Sequence, residues 1–397
     1  MRKGHVALIF GFLVSACGGG EEAAPPPQTP PPAPAPAPAP EAPKAEAPKP
    51  EVKPGLGELE AATNKALVEA LNAHDAKKVA SLYAEDAVIT IPGVWINHGQ
   101  TQGRADIEKS TQAFFDAFKD VKFWVSRAWV KQDVAALEFG WSGTHSGDYL
   151  GVKASDKPAG AVGVSLVTYD NDGHIKQENR YSDLNTVFTQ IGLVKGKARP
   201  VPTAAASTEV VIAKGTPEED KNLATVKGLN GAFESKKEAD FLTPLADDVD
   251  WTDYSQPEST KGKDSAKKFF QGFVKTFPDA KSDQTAAFGV GDFVIQETSF
   301  VGTQKGALGP IKATNKQVNL HSVDVIQFKD GKITKGWSFG NSIELVGQLG
   351  VFKPPAPAAA KPGAGAKPAD KAANGAVGAK GSSAPAAAPK APAAPKK

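Results

Sequence analysis

The sequence predicts an α+β fold written twice: two tandem cone-shaped α+β barrels, each a curved antiparallel sheet wrapped on the helices that precede it. Three observations predict this. The stretch "YSDLNTVFTQIG" at 181–192 returns as "FGNSIELVGQLG" at 339–350. Other pairs keep nearly the same spacing: "QGRADIEKSTQAFFDAFKD" at 102–120 with "KGKDSAKKFFQGFVKTFPD" at 261–279, "SGTHSGDYLG" at 142–151 with "VGTQKGALG" at 301–309, and "NDGHI" at 171–175 with "KDGKI" at 329–333. So many matched points indicate a tandem duplication. Within each copy helical periodicity comes first and β-rich runs follow, the order of an α+β unit whose helices cover one sheet face.

The chain of 397 residues opens with "MRKGHVALIFGFLVSACGGG". A basic start (Arg2, Lys3), an apolar run from Val6 to Val14 and small residues before Cys17 read as an export signal over 1–17. The run is too short for a stable membrane-spanning helix. Val14-Ser15-Ala16-Cys17 resembles the lipobox of bacterial lipoproteins, which implies lipidation of Cys17, export and attachment to a membrane. Gly18 after the Cys implies the outer membrane of a two-membrane bacterium. Cys17 is the sole cysteine, so no intrachain disulfide and no cysteine-based zinc cluster can form.

Residues 18–57 are a proline-alanine linker that favours extended polyproline II conformation and reads as a stalk. At about 3.1 Å per residue it would hold the folded part on the order of 120 Å from the lipid. The first copy is expected over 58–194, a linker over 195–219, the second copy over 220–352 and a disordered Lys/Ala/Pro tail over 353–397. Net charge is +2. The basic tail suits a solubilising role first and an anionic surface second, with nucleic acid ranked below both.

In the first copy, Ala61–Ala73 and Lys77–Tyr83 have the composition of two helices joined through His74 and Asp75. Asp86 and its match Asp248 are expected to close the second helix or cap a turn. In the third helix Ile107, Thr111, Phe114 and Phe118 fall at helical spacing, matched by Ala266, Phe270, Phe273 and Phe277. Strands are expected at Phe123–Lys131, Val134–Trp141, Ala161–Tyr169 and Ile175–Asp183, with turns at Gln132-Asp133 and Asn171-Asp172-Gly173. A short amphipathic helix follows, with Leu184, Val187, Phe188 and Ile191 apolar and Asp183 at its N-cap.

"GTHSGDYLG", the "NDGHI" turn and "NRYSDLNTVFTQIG" resemble the SnoaL-like polyketide cyclase group of the nuclear-transport-factor-two-like superfamily. The resemblance spans nearly all of each copy. It implies a cone enclosing a largely apolar cavity that takes a small apolar molecule, with an acid/base Asp at the end of the closing strand, here Asp183. His145 of the Gly-Thr-His segment would orient a substrate oxygen with Tyr181. The implied chemistry is cofactor-free cyclisation or isomerisation, in which a carboxylate raised by desolvation takes a proton beside a carbonyl.

Strand alternation puts Gln177, Asn179, Tyr181 and Asp183 on one face, and Lys335, Trp337, Phe339 and Asn341 on its match; both faces are expected to look into the cavity. Trp141, Asn179, His321, Trp337, Phe339 and Asn341 are the ligand-contact candidates. For Trp337, Phe339 and the tryptophans Trp124, Trp129 and Trp141, core packing is the competing reading. Glu138 and Glu297, at matched positions, read as exposed-face glutamates.

Copy two replaces Asp183 by Asn341 and His145 by Gln304. For capping, the first exchange costs almost nothing; for proton transfer it removes the base. Two functions therefore stand side by side: an acid/base enzyme in copy one, or a non-catalytic envelope module that binds a ligand or a protein. Exchange through the open sheet faces would make an internal pseudo-dimer or a homo-oligomer. No His pair has metal-ligand spacing, no Gly-rich phosphate loop follows a strand, and no Gly-x-Ser-x-Gly turn is present. Nothing points to a metal or cofactor.

Overall fold

The computed structural model describes residues 57–355. The expectations for the export signal, Cys17, nearly all of the stalk and nearly all of the tail fall on residues outside that range. Helices α1 (Glu58–Asn72) and α2 (Ala76–Ser81) meet at Asp75, whose carboxylate accepts from the Lys78 N–H and caps α2. The second helix ends earlier than expected, because Tyr83 opens a strand, β1 (Tyr83–Thr90). Asp86 lies exposed within it rather than at a helix end or turn, and Asp248 does the same in the second copy.

The first copy continues through β2 (Gln100–Gln102), α3 (Arg104–Ala117), β3 (Lys122–Lys131), β4 (Val134–Thr144), β5 (Pro158–Tyr169), β6 (Ile175–Ser182) and α4 (Leu184–Gln190). The segment expected as a plain linker contains a strand, β7 (Glu209–Ile212), paired parallel to β3. The second copy repeats the plan as α5 (Pro217–Ser235), α6 (Glu238–Leu242), β8 (Leu245–Asp253), β9 (Thr260–Lys261), α7 (Lys263–Thr276), β10 (Lys281–Val290), β11 (Phe293–Thr303), β12 (Gln317–Lys329), β13 (Lys332–Gly340) and α8 (Ser342–Gln348).

The strand orders are β2-β1-β6-β5-β4-β3-β7 and β10-β11-β12-β13-β8-β9. Neither sheet closes on itself, so the units are open cones rather than barrels. β1 and β8 pair parallel to the last long strand of their own copy, β6 and β13. Matched register shifts at Val125/Arg127 and Gln284/Ala286 mark bulges that bend the two sheets alike.

Each sheet buries two faces. On one, Val79, Tyr83, Ile107, Leu137 and Ile175 form a core under the helices of copy one, and Val226, Phe241, Phe270, Ile326 and Ile333 do so in copy two. On the other, Trp129, Val164 and Tyr181 of the first sheet share a core with Phe288, Phe293, Ile295, Val323 and Phe339 of the second. The two sheets thus pack face to face. Burying a large apolar side chain contributes about 1.5–3 kcal/mol, so a shared core of this size is a major part of the fold. A further cluster joins α4 and α8 with Phe118, Trp141, Phe277 and Val318.

Candidate functional site

Asp183 caps α4 as the sequence predicts, but it also caps the other copy. Its Oδ2 accepts from Thr186 N–H and Thr186 Oγ1–H, both at 2.7 Å. Its Oδ1 accepts from Ser342 N–H at 2.9 Å and Ser342 Oγ–H at 2.7 Å, the first residue of α8. Asn341 reciprocates: its Oδ1 accepts from Leu184 N–H at 3.2 Å, the first residue of α4, and from Ile343 N–H at 3.3 Å, while its Nδ2 donates to Pro92 O. Each copy therefore supplies part of the cap of the other's closing helix. Burial pushes the Asp183 carboxyl up from its ordinary value, against the four donors that pull it down.

The Gly-Thr-His-x-Gly segment is a loop lock, built alike in both copies. Thr144 donates its N–H and hydroxyl to Asp120, as Thr303 does to Asp279. His145 is fully buried; its backbone bonds Lys157 O, Ser155 N–H and Asp156 N–H, and its Nδ1 lies 3.1 Å from Ser155 Oγ. Gln304 holds the matching loop through Thr314, Gly306 O and Lys312 O. Gly147 docks on the end of α3, where a Cβ would stand 2.2 Å from Asp116 O. An imidazole and an amide thus fill one structural position. His145 Nε2 is buried without a hydrogen-bond partner among the described residues, beside Phe118 and Tyr149, and burial lowers its pKa.

The alternation drawn from the sequence is right about the face and wrong about what it faces. Asn179 and Tyr181 point between the sheets, where Asn179 Nδ2 and Tyr181 Oη donate to Glu297 Oε1 at 2.8 and 2.7 Å. Phe339 sits in the same core, stacked on Tyr254, and Trp337 packs against it with the Arg127 guanidinium 4.0 Å from its ring centroid. Glu138 and Glu297 are not exposed: both are buried at this junction, Glu138 paired to Arg127 and Ser126 and Glu297 bonded also to Thr285. Sheet pleat fixes which residues share a face, but which face meets helices depends on the second copy.

Trp141 faces the helices, wedged edge-on against Phe114 and Phe118. His321 is half-exposed on β12, its Nδ1 2.8 Å from Glu344 Oε1 of α8, a contact that raises its pKa. Asp183, His145 and Tyr181 consequently serve three different surroundings.

The polar group that does face the helices in copy one was not singled out by the sequence. Glu178 Oε1 accepts from Ser165 Oγ–H at 2.6 Å and Arg180 Nε–H at 2.8 Å, and Oε2 accepts from Tyr83 Oη–H at 2.6 Å. Burial works to raise the Glu178 carboxyl, but Arg180, Ser165 and Tyr83 together hold it below its ordinary value. The Tyr83 hydroxyl is driven well up by burial and by Glu178. Arg180 differs from its neighbours: 35% of its side chain stays accessible, against 4% for Glu178. Around this floor Leu67, Leu71, Ile91 and Val125 are only half-buried. A Glu-x-Arg pair on one face of a strand was the available signal, hidden because the opposite face carried the family likeness.

Among the described residues, Asp170, Asp172 and His174 bring three ligand atoms within 4.8 Å of one another. Asp170 Oδ1 is already engaged by the Asp172 and His174 N–H groups of the same turn, and the group carries no further argument.

The model of the SnoaL-like polyketide cyclase family matches residues 61–191 and again 224–349. The chain belongs to that family, with two copies of its domain in tandem. Solved structures similar to it include AclR from Streptomyces galilaeus (19% identity, 34% of this chain and 99% of that one, TM-score 0.32). TsrD from Streptomyces laurentii is similar at 16% identity (34% and 97%, TM-score 0.31), and an LEH-like epoxide hydrolase of M. tuberculosis at 15% (34% and 92%, TM-score 0.28). No curated protein matches the sequence.

Proposed function

We propose that this protein is an exported, lipid-anchored binding module, which holds a small, largely apolar molecule in its first cone with one acceptor group of that molecule against Arg180. The observation that carries this reading is the Arg180 side chain, about a third of it accessible, on a floor otherwise made of half-buried apolar side chains. Among the described residues only its Nε–H is engaged, by Glu178, so the remaining donors suit a ligand oxygen. The two copies act as an internal pseudo-dimer in which the second supports the first. Cys17 supplies the anchor, in an outer membrane.

A second reading, cofactor-free cyclisation or isomerisation with Asp183 as base and His145 and Tyr181 orienting an oxygen, draws support from the burial that raises Asp183. It is the weaker reading because all four bonds accepted by Asp183 are structural, and taking a proton would displace one of them.

The test is titration calorimetry of the full chain with deoxycholate below its micelle concentration, an apolar body with one carboxylate. The paired variant Glu178→Gln, Arg180→Met removes the ion pair without leaving a lone buried charge. Loss of about tenfold or more in affinity at unchanged thermal midpoint is expected, the magnitude of one charge-assisted hydrogen bond. Equal affinity in the variant would overturn the reading.

A further inference from the structure

We propose that a second binding site lies outside both cones, where the connecting segment crosses the junction of the two copies, and that it takes a small monocarboxylic acid with a compact apolar body. A cleft of about 310 Å³ lies there. Ala161 and Val162 of β5, Pro200 and Pro202 of the connecting segment and Tyr254 of the second copy give it apolar walls. Arg199 reaches into it. Its guanidinium carbon stands 5.1 Å from the Tyr254 ring centroid, and its Nη2–H donates to Asp253 O at 3.0 Å. Its Nε is buried and has no hydrogen-bond partner among the described residues.

An orphaned guanidinium N–H is costly, and it sits where an acceptor can relieve it. Tyr254 adds to this: its ring is stacked on Phe339 at 4.8 Å and its N–H bonds Ser338 O, while its hydroxyl has no hydrogen-bond partner among the described residues. The orphaned Arg199 Nε–H is a donor, the Tyr254 hydroxyl can donate as well as accept, and a planar guanidinium edge fits a carboxylate.

The cleft is also held in shape. Gln190 accepts from Gly160 N–H through Oε1 and donates to Arg199 O through Nε2, tying the connecting segment to the start of β5. Asp183 lines the cleft and Asp253 lies next to Arg199, and both face donors of their own: Asp183 accepts four bonds and Asp253 accepts from Ser255 N–H. Their presence favours a single negative charge over a phosphate dianion. Burial lowers the Arg199 pKa, which an entering carboxylate would reverse.

The experiment is calorimetric titration of the full chain with benzoate, benzamide and inorganic phosphate. Saturable benzoate binding is expected, with benzamide and phosphate each about tenfold weaker or more. Arg199→Gln should reduce benzoate affinity about tenfold or more, and Tyr254→Phe, which keeps the ring stacking, about fivefold. Absence of saturable benzoate binding, equal binding of benzamide, or full affinity in both variants would overturn the proposal. So would loss of benzoate in the paired Glu178, Arg180 variant with retention in Arg199→Gln, which would put the acid in the cone instead; deoxycholate binding in the first cone can fail without touching this site.

Discussion

If position 341 carried a carboxylate as position 183 does, two buried charges would stand at the exchanged helix caps with four donors on one side and fewer on the other. The amide avoids this: Oδ1 of Asn341 still accepts from Leu184 and Ile343, and Nδ2 finds Pro92 O. A change that would remove a base from an enzyme therefore has a structural cause that needs no enzyme. Asp183→Asn should destabilise the full chain by about 1–3 kcal/mol, because a new NH2 would meet donors from Ser342 or Thr186. The raised carboxyl pKa adds a sign: Asp183 favours the fold below its ordinary value and loses that contribution as pH rises through the folded value. Urea unfolding across that range should show this pH-dependent part in the wild type and not in the variant; an unchanged midpoint would refute the capping role. The capping half of this was legible in "SDLNTVF" from residue types alone. The exchange across copies was not, since nothing local announces which helix a second carboxylate oxygen will meet.

At the scale of elements, hairpin-linked strands were readable because each carries its partner next to it, and β3 to β6 fall where alternation and turns put them. β1 and β8 were not, because their partners β6 and β13 come much later and pair in parallel. β7 hid in a segment with a short β-branched run, Val210–Ile212, among Pro, Ala, Lys and Thr. Helix α8 is joined to its sheet by a titratable contact, Glu344 with the imidazole and backbone N–H of His321. The hydrogen bond to Glu344 is the main cause of the raised His321 pKa. A raised folded value means stability present below the ordinary imidazole pKa and lost as pH rises through the folded one. Glu344→Gln should bring the His321 titration down, as followed by the imidazole proton resonances, and shrink the fall in thermal midpoint between acidic and alkaline sides of that range. The pair is partly exposed, so the effect is small, about 0.3–1 kcal/mol. A His321 titration identical in the variant would refute Glu344 as the cause of the raised value.

At the scale of the molecule, the duplication is legible in the sequence, but its consequence is not: the face that carries Asn179, Tyr181, Trp337 and Phe339 is a shared interior, not the lining of two cones. Alternation cannot distinguish a cavity from a neighbouring sheet, because both ask for apolar residues at every second position. The polar groups there point the same way, since Glu297 of copy two is bonded by Asn179 and Tyr181 of copy one, and Arg127 of copy one lies over Trp337 of copy two. A chain cut between Lys214 and Gly215, with β7 left on the first half, would expose that apolar face and part Glu297 from Asn179 and Tyr181. Neither half should then behave as a stable monomer in sedimentation velocity, each self-associating or aggregating through the uncovered sheet. Co-expressed halves should recover a one-to-one complex, with a thermal midpoint that rises with concentration. A first half that sediments as a monomer and melts with the intact chain would mean that the cones are independent, and that their contact contributes little to either.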